Sequence, residues 1–181
     1  MSSFIGELLG TMILILLGDG VVAGVLLNRS KAQNAGWIVI TAGWAFAVMA
    51  GVFTSLAFGG KGFINPVGPL AGLITSTLTI GEALPLIAGE FVGAFVGAVL
   101  VWLHYTPHWA ESSDPGLKLA VFCTGPAIRN PMANLVIEII GTFVLVFVGT
   151  AIGQAGVSAG LGAPLGGALV WGIGLSLGAR L

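Results

Sequence analysis

The chain has 181 residues, of which 56% are hydrophobic and 7% charged, with a formal net charge of −1. A water-soluble domain carries about 25% charged residues, so this composition excludes one and describes a chain embedded in lipid. No basic cluster interleaved with aromatics points to nucleic acid, and the single cysteine, Cys123, permits no intrachain disulfide.

The opening MSSFIGELLG lacks a basic leader and places Glu7 early, unlike a cleaved signal peptide. A helix that crosses a bilayer needs about 20 apolar residues. The first such run is Phe4–Leu27, followed by the polar NRSKAQNAG and a second run, Trp37–Phe58. Then the pattern breaks at 60-GKGFINPVGPLAG-72, inside the segment Gly59–Gly81. Asn65 is a good helix cap and Pro66 suits the first helical position, so a short half-helix is expected to open there and end before Gly81. Such a helix is tolerated at membrane depth only where its backbone is buried in protein or lines a wet cavity. Its free amides and positive end would face mid-membrane, orienting a polar solute and repelling cations.

The third run, Leu84–His104, carries Gly89, Gly93 and Gly97 on one face, a ladder that lets another helix approach closely. The connection Tyr105–Asn130, with Glu111, Asp114, Lys118 and Arg129, reads as a surface loop. A fourth run, Pro131–Gly153, and a shorter fifth, Leu161–Leu177, are joined by the uncharged QAGVSAG.

The chain resembles itself. Residues 7–18, ELLGTMILILLG, and 138–149, EIIGTFVLVFVG, share E-x-x-G-T-x-x-L-x-x-x-G at an offset of 131 residues, from 7 to 138. Intramembrane acids are expensive and face the protein interior with a partner, so Glu7 and Glu138 are expected to be buried and to accept hydrogen bonds. The copies fall on the first and fourth spans, three crossings apart, so the second enters from the opposite side. That is an inverted repeat, which builds a transport pathway between its halves. The expected fold is an all-α membrane protein, an inverted-repeat bundle of about five spans plus one re-entrant half-helix. It forms one domain over 1–181: a first repeat at 1–105, a connecting loop at 106–130 and a second, incomplete repeat at 131–181. No nucleophile–base pair, metal-ligand cluster or phosphate loop supports an enzyme, and His104 and His108 fall near a span end and its loop.

At these residues the chain resembles the major intrinsic protein family, the aquaporins and glycerol facilitators. Asn65-Pro66-Val67 is similar to that family's Asn-Pro-Ala signature. The stretches ILLGDGVVAGV and FCTGPAIRNPMANLVIEIIGTFVLVF are similar to its glycerol-facilitator branch. The resemblance implies that Asn65 offers its amide to a passing solute and that the carbonyls of Lys61, Gly62 and Phe63 form a ladder down one pore wall. It places Trp44 in a selectivity filter against a glycerol carbon backbone, and gives Glu7 and Glu138 the task of holding re-entrant loops. It implies glycerol and water as permeants, no cofactor, no catalytic or metal residue, a homotetramer and a multi-pass location in the plasma membrane.

The sequence also departs from the family. Val67 replaces Ala, Phe63 stands where His is usual, and Gly68-Pro69 replaces Val-Thr; Pro69 removes an amide and is expected to weaken the half-helix. The repeat offset places the counterpart of Asn65 at 196, past Leu181, so one side of the constriction is expected here and conduction to be impaired. Arg29, Lys31, Lys118, Arg129 and Arg180 share one side and Lys61 the other. Counting positive charges would make the first side cytoplasmic, whereas the resemblance puts the N-terminus there. Two functions are weighed: a passive channel for glycerol, small uncharged solutes and water, and a non-conducting scaffold of the same fold that assembles with other chains.

Overall fold

The computed structural model describes residues 2–153, and every regular element within them is a helix. They are α1 (Ser3–Leu26), α2 (Trp37–Ala57), α3 (Val67–Ile74), α4 (Ile80–His104), α5 (Thr106–Glu111), α6 (Pro115–Ala120) and α7 (Pro131–Gly153). Of these, α1, α2, α4 and α7 are long and apolar enough to cross a membrane. The expected fifth span, Leu161–Leu177, lies outside the described residues.

Helix α1 is the centre of the described bundle because both of its neighbours touch it backbone to backbone. Gly10 and Gly51 face each other where α1 crosses α2. Further along, Gly18 lies under Trp44 and Gly43 against Val21, so the two helices run antiparallel. On the other side the α4 ladder does what its spacing suggests: Gly89 abuts the Phe4 carbonyl, Gly93 that of Leu8 and Gly97 that of Met12. Both series rise together, so α1 and α4 run parallel. Helix association in lipid depends on such close packing, since apolar side chains gain little by leaving hydrocarbon. Phe46 and Phe53 on α2, and Phe91 and Phe95 on α4, are exposed and suit the surrounding acyl chains.

Helix α4 starts four residues before the expected Leu84. The Glu82 carboxylate reaches back to the Thr79 amide at 2.8 Å and to its hydroxyl at 2.8 Å. This Thr-x-x-Glu cap tolerates Gly81 in the first turn and Pro85 just beyond it. The Tyr105–Asn130 connection folds into α5 and α6, with Asp114 capping α6 through the Gly116 amide at 2.7 Å. It is laced to the α1–α2 loop: Asn28 donates from its backbone to Ser112 Oγ at 2.9 Å and from its side chain to the Glu111 carbonyl at 2.9 Å. Tyr105 donates to the Gly20 carbonyl at 2.9 Å, and burial raises the phenol's pKa, keeping it a donor.

Candidate pore loop and half-helix

The half-helix opens as its sequence suggests. Asn65 Oδ1 accepts from the Val67 amide at 3.0 Å, and Leu70 donates to the Pro66 carbonyl at 3.1 Å. Pro66 itself has helical dihedrals, so the helix effectively begins there; helix ends are ambiguous by a residue. Helix α3 forms with Pro69 in its first turn. The Asn65 carbonyl that the proline's missing amide would have served is bonded instead by Gly68 N at 3.0 Å, and the proline ring is fully buried.

Helix α3 stops after eight residues. Ser76 takes a left-handed conformation, φ 56°, Thr77 N bonds the Gly72 carbonyl at 2.9 Å, and Ser76 N bonds that of Leu73 at 3.2 Å. This 6→1 and 5→2 pair is a Schellman cap, with serine where glycine is usual.

The loop before the helix is held from behind by two buried acidic side chains. Glu7, fully buried, accepts at Oε1 from Lys61 N at 2.7 Å, Gly62 N at 2.9 Å and, more weakly, Phe63 N at 3.4 Å. Its Oε2 accepts from Ile64 N at 2.8 Å. Glu90 on α4 accepts from Asn65 N at 3.2 Å. Ser55 on α2 braces the arrangement, donating to Glu7 Oε1 at 3.0 Å and accepting from Gly62 N at 3.0 Å. Charge-assisted hydrogen bonds are roughly twice as strong as neutral ones. Leaving one buried amide unpaired costs about 1–3 kcal/mol.

With their amides turned to the acids, no donor among the described residues takes up the carbonyls of Lys61, Gly62 or Phe63. The turn needs unusual dihedrals: Gly62 at φ 75° and Ile64 at φ 45°. A β-branched residue at positive φ is an outlier that costs of order 1–3 kcal/mol. Ile64 is fixed there by its bond to Glu7 and by burial of its side chain with Leu14 and Ala47.

Trp44 on α2 is half-buried, its ring over Gly18 and against the Leu14–Ala47–Ile64 and Val22–Val25–Ile40 clusters. Phe63 covers Gly68. Lys61 and Asn65 are exposed, and Pro66 and Val67 half-buried. Glu138 differs from its expected burial: on α7 it is exposed and accepts no hydrogen bond among the described residues. The segment that the Glu7 spacing would bring to it lies beyond residue 153. Ser55 and Glu90 are the additions. Ser55 carries no sequence signal, but Glu90, like Asp19, is a further acid within an apolar run, a signal masked by the glycines around it.

A family model, "Major intrinsic protein", matches residues 1–179. The chain is 49% identical over 174 residues to glycerol uptake facilitator protein 3 of Lactiplantibacillus plantarum, covering 96% of this chain and 72% of that one. It is 50% identical over 178 residues to the probable glycerol uptake facilitator protein of Thermotoga maritima, covering 98% and 76%. Its fold is similar to the X-ray structure of the aquaglyceroporin from Plasmodium falciparum, with a TM-score of 0.83 over 98% of this chain and 73% of that one, at 22% identity. Loop, half-helix and glycine-packed bundle thus occur in a chain that belongs to the major intrinsic protein family.

Proposed function

We propose that the chain forms a passive membrane channel for glycerol and other small uncharged solutes, with water as co-permeant. The observation that carries this reading is the orientation of residues 61–65. Five successive amides are bound by Glu7 and Glu90, which leaves the Lys61, Gly62 and Phe63 carbonyls as a row of acceptors and Asn65 as a donor at the mouth of α3. A solute that sheds water needs such replacements at fixed spacing, and an apolar wall beside them favours a carbon backbone over water alone. Trp44 supplies that wall, with Pro66 and Val67 completing the half-helix mouth. The positive end of α3 opposes cations. The relatives named as glycerol uptake facilitators support the channel over a non-conducting scaffold and over an enzyme.

Further parts of the proposal rest on the family resemblance: assembly as a homotetramer, residence in the plasma membrane and a cytoplasmic N-terminus. Glu138 is proposed to act on a second loop as Glu7 acts on the first. Stopped-flow light scattering on proteoliposomes under a glycerol gradient tests the function. In place of the impaired conduction expected from the sequence, the glycerol uptake facilitator relatives support glycerol permeability well above that of empty liposomes, and Trp44→Ala or Asn65→Leu should lower it. Permeability equal to empty liposomes overturns the proposal.

A further inference from the structure

Glu90 is an acid that neither the repeat nor the glycine ladder accounts for. It is 1% exposed and sits on α4 at the level where its neighbour Gly89 meets the Phe4 carbonyl and Glu7 Cβ. Its Oε1 receives the Asn65 amide, whereas its Oε2 is buried with no partner among the described residues. An ionisable group in a membrane helix is costly, and an unpaired buried oxygen adds to the cost. An apolar side chain would fill the site at less expense. Among the described residues, the one hydrogen bond that the Glu90 side chain makes is to the Asn65 amide.

We infer that Glu90 is a positioning residue for conduction, holding the Asn65 backbone so that its side chain is presented to the solute in one direction. The inference rests on reading Asn65 as a pore residue. Three polar groups of Asn65 are engaged: its side-chain oxygen by Val67 N, its carbonyl by Gly68 N and its amide by Glu90. The first two bonds lie within the start of α3 and move with it. The third ties Asn65 to a spanning helix of the bundle. Glu7 fixes the loop up to Ile64, and Glu90 fixes the residue that follows.

The two acids have different needs. Glu7 uses both oxygens as acceptors, while Glu90 uses one, so position 90 requires an acceptor at the right reach and not a carboxylate as such. Glu90→Gln keeps that reach. Glu90→Asp keeps the carboxylate but withdraws it by about 1.5 Å, one carbon–carbon bond, beyond hydrogen-bonding range of a contact now 3.2 Å long.

The test uses the whole chain in proteoliposomes, with glycerol and water permeabilities measured side by side and amide exchange followed at Asn65 and Gly62. Glu90→Gln is expected to keep glycerol permeability within about twofold of the parent, and Glu90→Asp to lose about tenfold, with a smaller loss for water. Asn65 should exchange faster in Glu90→Asp only, while Gly62, held by Glu7, stays protected in all three. Glu90→Asp conducting like the parent overturns the inference, as does Glu90→Gln failing as badly as Glu90→Asp. Loss of protection at both amides overturns it too, since that marks a general loosening. If the parent itself does not conduct glycerol, the channel reading fails and the exchange comparison alone decides whether Glu90 holds Asn65.

Discussion

Ser55 and Glu7 form a buried pair across the α1–α2 interface, the hydroxyl donating to Oε1 at 3.0 Å while also accepting from the Gly62 amide. Both side chains are wholly enclosed, so neither can turn to water for a replacement partner. Ser55→Ala removes a donor from the carboxylate and an acceptor from the loop without creating a clash. The expected loss is about 1–3 kcal/mol, read as a lower midpoint of thermal unfolding in detergent. An unchanged midpoint would show that the hydroxyl contributes nothing.

Substitutions at Glu7 should be less forgiving than the same ones at Glu90. Glu7→Gln keeps the shape but offers one acceptor, and turns an NH2 toward amides that themselves donate. Glu7→Leu leaves the Lys61, Phe63 and Ile64 amides with no acceptor and Gly62 with Ser55 Oγ alone, at about 1–3 kcal/mol for each that stays buried and unpaired. The expected order of stability is parent, then Glu7→Gln, then Glu7→Leu, with Glu7→Gln clearly below Glu90→Gln. Equal midpoints for the two Gln variants would refute this division of labour.

Ser76 offers a change of opposite sign. It is exposed and sits at φ 56°, where a side chain is disfavoured and glycine is not. Ser76→Gly should therefore stabilise the end of α3 by about 0.5–1 kcal/mol, after allowing for the greater freedom of glycine in the unfolded chain. A raised midpoint with unaltered glycerol permeability is expected. A lowered midpoint would mean that the serine side chain contributes more than its conformation costs.

The same position shows what the sequence could carry. Asn65-Pro66 announces the start of α3, because a cap acts through local chemistry that residue type reveals. The end of α3 is silent, since it depends on a serine adopting a conformation usually marked by glycine. At the start of α4, Gly81 reads as a breaker while the stronger signal, Thr79 three residues before Glu82, is easily passed over. Glu7 stands out through its repeat, and the α4 glycines through their spacing. Ser55 is unmarked because its importance arises from a neighbour 48 residues away. Glu90, though a charge in an apolar run, reads as part of a packing motif until the loop is folded against it.

Gly18 links helix packing to the proposed path. A methyl group there would lie 2.5 Å from Trp44 Cε3 and 2.6 Å from Cη2, closer than carbon atoms approach. Either α1 and α2 separate or the ring moves, and the Leu14–Ala47–Ile64 cluster on one side and the Val22–Val25–Ile40 cluster on the other limit where it can go. Overpacking of this kind costs about 1–3 kcal/mol. If Trp44 is the apolar wall of the path, a displaced ring narrows it, and a narrower path obstructs glycerol before it obstructs water. Gly18→Ala is therefore expected to lower the unfolding midpoint and to reduce glycerol permeability by a larger factor than water permeability. Measured in the same proteoliposomes, an equal fall in both would point to fewer folded channels. A midpoint shift with both permeabilities intact would remove Trp44 from the path.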